Sequence, residues 1–268
     1  MGRIRTGKVL AIIQARMGST RLPGKMLLPI VDNKGALELM LERVCRSVQL
    51  QEIVVATTTS PSDDKLVDLC KHLDYKYFRG DENDVLERYY QAALAFGPAE
   101  VIVRLTGDCP LHDPDVIDLV VGEYLKGNCD YVSNTQKYTF PDGLDVEVFS
   151  FSVLERVRRE ASLKSEREHV TSYIWKHPDI FKTINVEYKK DLFGKRWTLD
   201  EKEDYEFIKH IYKNLYKKKP AFGMEEVLEL LAKHPELEEI NKHIFRNEGY
   251  RKSLKEDKIL DSDDRKKS

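Results

Sequence analysis

Three cations, Arg16, Arg21 and Lys25, share one short stretch, and two carboxylates, Asp108 and Asp200, stand far downstream at the ends of apolar runs. The cations lie in Gln14-Ala15-Arg16-Met17-Gly18-Ser19-Thr20-Arg21-Leu22-Pro23-Gly24-Lys25, which follows directly on Val9-Leu10-Ala11-Ile12-Ile13. A loop of this composition suits phosphates: glycine lets the backbone turn and bring N–H groups to an anion, and several cations can neutralise a triphosphate. The alternative is a solvated basic turn. The loop is not a P-loop, because the spacing from Gly18 to Gly24 is wrong and Met26 follows Lys25, and it does not fit G-x-G-x-x-G. Side-chain cations must therefore do more of the gripping. Asp108 ends Val101-Ile102-Val103-Arg104-Leu105-Thr106, where a hard divalent cation is its expected partner. Magnesium binds one or two carboxylates together with substrate phosphates. Asp200, after Arg196-Trp197-Thr198-Leu199, is the natural second ligand, and it could also cap a helix beginning at Glu201.

Positioning these residues takes strands that end beside one another. Short apolar strands alternate with amphipathic helices: strands 8–14, 52–58, 76–79 and 100–106, and helices 35–48, 62–73, 83–96 and 115–125. Leu37, Leu41, Val44 and Val48, and Leu66, Leu69 and Leu73, recur at helical spacing. That alternation predicts a parallel sheet covered by helices. Beyond residue 130 the pattern is mixed, with strands near 130–133, 144–149, 182–188 and 196–199 and helices 150–160, 167–176, 201–215 and 223–233. The expectation is one α/β domain over 1–250, divided into a nucleotide-binding half (8–126) and an acceptor-binding half (127–250). The segment 251–268 is expected to be a charged, solvated or frayed tail.

Ligands of open α/β sheets sit outside the carboxyl ends of the strands. That rule gathers the first loop, Thr57 and Thr58, Arg79 and Gly80, and Thr106 with Asp108 into one crevice. The threonines could contact a pyrimidine edge or serve as helix caps before Pro61 and Asp63. Asp145 and Glu147 share one face of a strand whose other face, Leu144, Val146 and Val148, is apolar. A site role there means hydroxyls of a sugar-like acceptor or a metal cluster; the alternative is an exposed acidic face. Ser165 and Glu168 have capping-box spacing, leaving Arg167 and His169 as acceptor contacts, although a lone histidine is more often structural.

Composition narrows the class. The 268-residue chain is 41% apolar, enough for a substantial core, and its net charge of −2 argues against nucleic acid as partner. No apolar run approaches the roughly 20 residues that span a bilayer, and the start lacks a signal-peptide core. A cytoplasmic protein without membrane insertion is therefore expected. Residues 1–6 fit a loose lipidation pattern that is too short to carry weight. Cys45, Cys70, Cys109 and Cys129 form no C-x-x-C pair. Cys45 and Cys70 read as core residues on helices, and Cys109 as a filler beside Asp108.

Ala15, Arg16, Gly18, Ser19, Arg21 and Lys25 match the A-R-x-G-S-x-R-x-x-x-K opening of the nucleotidyltransferases that make CMP-sialic acid and CMP-Kdo. Further along come Arg79-Gly80-Asp81-Glu82-Asn83-Asp84-Val85-Leu86-Glu87-Arg88-Tyr89, Arg104-Leu105-Thr106-Gly107-Asp108, Pro141-Asp142-Gly143-Leu144-Asp145-Val146-Glu147 and Arg196-Trp197-Thr198-Leu199-Asp200. With these motifs in order, the chain resembles the SpsF-like (spore coat polysaccharide biosynthesis protein F) branch of the cytidylyltransferase superfamily. The resemblance implies a three-layer α/β sandwich of the nucleotide-diphosphosugar transferase type, with a mixed, mainly parallel sheet. It also implies CTP as substrate, Mg²⁺ held by Asp108 and Asp200, an acidic sugar or a sugar or polyol phosphate as acceptor, and a homodimer. A glycosyltransferase of the same class would usually show D-x-D where this chain has Asp108-Cys109-Pro110. A non-catalytic scaffold would have little reason to keep every charge of the opening loop.

Overall fold

The structure is a computed structural model describing residues 7–259. The lipidation-like hexapeptide, 1–6, and the end of the charged tail, 260–268, lie outside the described residues. The chain runs β1 (Val9–Gln14), β2 (Pro29–Val31), β3 (Lys34–Gly35), α1 (Ala36–Val44), β4 (Glu52–Thr58), α2 (Asp64–His72), β5 (Lys76–Gly80), α3 (Val85–Ala95), β6 (Val101–Thr106) and α4 (Pro114–Leu125). It continues through β7 (Tyr131–Ser133), β8 (Glu147–Ser150), α5 (Phe151–Glu160), α6 (Lys164–Glu168), α7 (Ser172–Lys176), β9 (Thr183–Asn185), α8 (Lys202–Leu215), α9 (Met224–Lys233) and α10 (Glu248–Lys255).

The main sheet has the order β5-β4-β1-β6-β8-β7-β9. β5, β4, β1 and β6 are parallel, and β8 runs antiparallel to both of its neighbours. Alternation along β1 explains the layers: Val9, Ala11 and Ile13 pack into one core with α1, α4, α8 and α9, while Leu10 and Ile12 pack into another with α3 and α5. Side chains that alternate between two buried faces make a continuous apolar run in sequence. A three-layer sandwich with a mixed, mostly parallel sheet results. The chain moves outward from β1 to β4 and β5 and then returns to β6 on the other side of β1, so the strand order reverses there and a crevice opens at the ends of β1 and β6.

Several local expectations change. α1 stops at Val44, so Val48 lies past the helix and is 82% exposed, and Cys45 is exposed while Cys70 is buried. Segment 196–199 is not a strand; it meets Asp142 in a single bridge. Its main chain bonds to irregular turns instead, Trp197 N–H to Asp142 O at 2.7 Å and Leu199 N–H to Asp108 O at 2.8 Å. Gly143, at φ +105°, makes this approach feasible, since a Cβ there would lie 2.7 Å from Thr198 N. The helix expected over 167–176 is two short ones, interrupted at Val170 with φ +57°. The capping box also shifts: Leu163 is the N-cap and Glu166 accepts its N–H at 3.2 Å, while the Ser165 hydroxyl donates to Asp257 at 2.8 Å. Residues 248–255 form α10, which takes in the first five residues of the expected tail.

Candidate active site

The first loop leaves the sheet after Ala15 N–H donates to Ala56 O at 3.2 Å. Gly24, left-handed at φ +70°, turns it into a 3₁₀ turn at Lys25–Leu27, which buries Lys25. Lys25 Nζ donates to Asp108 Oδ2 at 2.9 Å and to Asp200 Oδ1 at 2.7 Å. Burial alone would push this ammonium down, but the two carboxylates outweigh it and hold the group above its ordinary value. Asp108 moves the opposite way: burial pushes it up, and Lys25 more than compensates, so the carboxyl lies below its usual range.

Asp200 is aimed by its own segment. Glu201 stands at the N-cap position of α8, and the buried Asp204 reaches back to the N–H groups of Asp200 and Glu201, at 3.0 Å each. Arg196 grips Asp204 through two bonds of 2.8 Å. Side-chain capping thus falls to Asp204, and the Asp200 carboxylate meets Lys25, Arg21 at 3.1 Å and Arg196 at 3.6 Å. Arg21 also meets Glu201 at 3.0 Å, and Arg16 meets Glu82 at 3.3 Å. Every cation of the loop therefore faces a carboxylate that an incoming polyanion would replace or share.

These groups line a cleft of about 910 Å³ at the ends of β1 and β6. The structure brings to it Gln14, Ala15, Arg16, Gly18, Ser19, Arg21 and Lys25 from the first loop, Thr106 and Asp108 from β6, Asp200, and Arg167 and His169. Asp108 and Asp200 offer hard oxygen donors side by side on one nitrogen, a set that suits a magnesium-like ion. Among the described residues no group of three or more His, Cys, Asp or Glu could hold an ion alone, so further ligands would have to be phosphate or water. Burial raises the Cys109 thiol well above its ordinary value, which agrees with a filler role.

Other sequence candidates lie elsewhere. Thr57 and Thr58 are buried and give their hydroxyls to Asp63, at 2.9 and 2.6 Å, closing the turn instead of facing a base. Arg79 braces the same turn, donating to Thr58 O, Ser60 O and Asp64 at 2.7–2.9 Å, and neither it nor Gly80, within β5, lines the cleft. Glu147 is buried against Arg104 and accepts from Tyr131 and Thr171 at 2.5 Å. Asp145 pairs with Arg246. Both carboxylates are engaged under the site rather than in the cleft. Arg167 reaches the wall but is nearly enclosed, its guanidinium on Asp84 at 2.7 Å. Burial pushes His169 down to about 4, so it is neutral near pH 7, and it shares a hydrogen bond of 2.9 Å with Ser253.

Sequence reasoning missed two walls. One is the loop Asp81–Asp84 with Arg88; it lies inside a quoted motif, and Asp84 carries an N-cap signal, accepting Glu87 N–H at 2.9 Å. The other is α10, whose Glu248, Lys252 and Ser253 line the cleft. Nothing in that charged stretch signalled it beyond the spacing of Tyr250 and Leu254.

A three-layer sandwich whose switch-point cleft sets a cationic loop against two carboxylates is the architecture of a nucleotidyltransferase. A cytidylyltransferase family model matches residues 10–249, and the chain belongs to that family. It is 36% identical over 235 residues to the spore coat polysaccharide biosynthesis protein SpsF of Bacillus subtilis, covering 85% of this chain and 95% of that one. It is 40% identical to an uncharacterized protein of Methanocaldococcus jannaschii, over 91% of this chain and 98% of that one. A solved cytidylyltransferase from Leptospira borgpetersenii superposes with a TM-score of 0.83 at 37% identity, covering 89% of this chain and 99% of that one. A CMP:2-keto-3-deoxy-manno-octonic acid synthetase solved with CTP shares the fold, with a TM-score of 0.60 at 17% identity over 77% of this chain and 99% of that one.

Proposed function

We propose that this chain transfers the cytidylyl group of CTP to an acidic sugar or to a sugar or polyol phosphate, releasing pyrophosphate, in surface polysaccharide biosynthesis. The observation that carries the reading is Lys25, whose Nζ joins Asp108 and Asp200 at the foot of the loop bearing Arg16 and Arg21. Arg16, Arg21 and Lys25 bind the triphosphate and neutralise the departing pyrophosphate. Phosphoryl-type transfers are catalysed mainly by such positioning and charge stabilisation. Asp108 and Asp200 would hold Mg²⁺, which when bound supplies charge neutralisation between phosphate and acceptor oxygens. His169, on the cleft wall, orients the acceptor, with Arg167 held beside it on Asp84. The polysaccharide assignment is supported by the name of the Bacillus relative, and CTP by the family and by the synthetase solved with it. No helix among the described residues is long and apolar enough to cross a membrane, and we infer a cytoplasmic homodimer. Pyrophosphate release from CTP and Mg²⁺ over a panel of acidic sugars and sugar or polyol phosphates tests this. Release with one acceptor class, abolished in Asp108→Asn, is expected; none with CTP, but release with another triphosphate, would refute the nucleotide assignment.

A further inference from the structure

The loop that carries Arg16 and Arg21 is tied down by a carboxylate outside the cleft. Asp63 ends a 3₁₀ turn (Pro61–Asp63) between β4 and α2 and is 1% exposed. One of its oxygens accepts the Met17 N–H at 2.8 Å. The other accepts the Thr57 hydroxyl at 2.9 Å, the Thr58 hydroxyl at 2.6 Å and the Thr58 N–H at 3.1 Å. The nearby cations Arg16 and Arg79 pair with Glu82 and Asp64, and Arg88 interacts with Asp63 only through its charge at longer range. Its hydrogen bonds run to donors at the end of β4 and in the loop, with a longer one of 3.4 Å from the Ser62 hydroxyl.

The placement of the bond matters. Guidance from the sheet ends with the Ala15 N–H, and Met17 lies between Arg16 and Gly18, both on the cleft wall. Further along, the loop's own bonds run from Ser19 N–H to Met17 O at 2.8 Å, Leu22 N–H to Ser19 Oγ at 3.2 Å and Lys25 N–H to Leu22 O at 3.2 Å. None of these uses the N–H of Gly18, Thr20 or Arg21. A loop that must present amides and guanidinium groups together binds more tightly when it is held in that shape beforehand. A carboxylate suits the task because both oxygens accept and charge-assisted bonds are the stronger kind. Burial would push the Asp63 carboxyl up, but the Thr58 and Met17 donors outweigh it and keep it below its ordinary value, hence ionised.

We propose that Asp63 is the positioning residue of the phosphate loop, fixing it to the end of β4 in the conformation that receives the triphosphate; this rests on the reading of the cleft as a CTP site. Asparagine at 63 keeps one oxygen for Met17 but turns an amide NH₂ toward the Thr58 N–H, whereas alanine removes every tie. Thr57→Val removes one donor to Asp63 and leaves the Met17 bond intact. The test is calorimetric titration of full-length wild type, Asp63→Asn, Asp63→Ala and Thr57→Val with CTP and Mg²⁺, alongside thermal melts and exchange of the Met17 amide in the free protein. Asp63→Ala is expected to weaken CTP at least about tenfold, or about 1.4 kcal/mol, and to speed Met17 exchange while the β1 amides keep their protection. Asp63→Asn should fall between, and Thr57→Val should lower the melting temperature yet bind CTP within about twofold of wild type. If Asp63→Ala does not fold, Asp63→Asn decides: faster Met17 exchange with weakened CTP supports the role, and faster Met17 exchange at wild-type affinity overturns it. Wild-type affinity in the Asp63 variants despite fast Met17 exchange overturns the positioning role and leaves the CTP site standing. A wild type that binds no triphosphate overturns both.

Discussion

Lys25 occupies the place where a bound cation would also be attracted, between Asp108 and Asp200. Arg21 is the cleaner probe, because its side chain is 37% exposed and its removal leaves the core intact. Arg21→Ala should lower turnover by about 3 to 4 kcal/mol in activation free energy, the scale of one lost electrostatic stabiliser, with the melting temperature almost unchanged; turnover close to wild type would refute the phosphate grip. Glu147 calls for the opposite outcome. Its partner Arg104 is largely buried, so Glu147→Gln leaves an uncompensated charge and should destabilise the fold by about 3–5 kcal/mol. Loss of acceptor affinity without loss of stability would return Glu147 to the acceptor site. The loop cations were legible because a basic, glycine-bearing stretch follows a strand. Glu147 and Asp145 were misplaced because their partners, Arg104 and Arg246, stand 43 and 101 residues away, and no local pattern announces them.

Among the elements, strands buried on both faces and helices with one apolar stripe were readable directly, as β1, β4 and β6 show. Segment 196–199 has strand-like residues, but its hydrogen bonds go to turns around Gly143 and Asp108, which only the assembled chain reveals. α10 was illegible for a related reason: half of its residues are charged, and it is held by a few specific contacts. Tyr250 meets His169 and Trp175 edge-on, at 4.9 and 5.5 Å, and Ser253 donates to Glu168 at 3.0 Å. Edge-on ring contacts contribute about 0.5–1.5 kcal/mol each. Tyr250→Ala should therefore speed amide exchange along α10 by at least about tenfold while exchange in β1 stays slow. Equal exchange in the two proteins would mean that α10 is held by other contacts.

Across the whole molecule, acid should weaken the fold through its histidines. His112, fully enclosed, and His169 are pushed down to about 4 by burial, whereas an unfolded histidine titrates near 6.5. Between those values the unfolded chain binds protons that the native one does not, so stability present above about pH 6.5 is lost as the pH falls toward 4. Denaturant melts of His112→Gln should show a shallower loss over that window than wild type, and an identical slope would contradict the assignment. The central claim concerns the cleft, and thermal stabilisation by nucleotides tests it most directly, since a ligand at 100 times its dissociation constant adds about 2.7 kcal/mol. With Mg²⁺ present, the expected result is a shift with CTP, little with UTP, GTP or ATP, and a reduced shift in Asp108→Asn. A shift with nucleotide-sugars but with no triphosphate would contradict it.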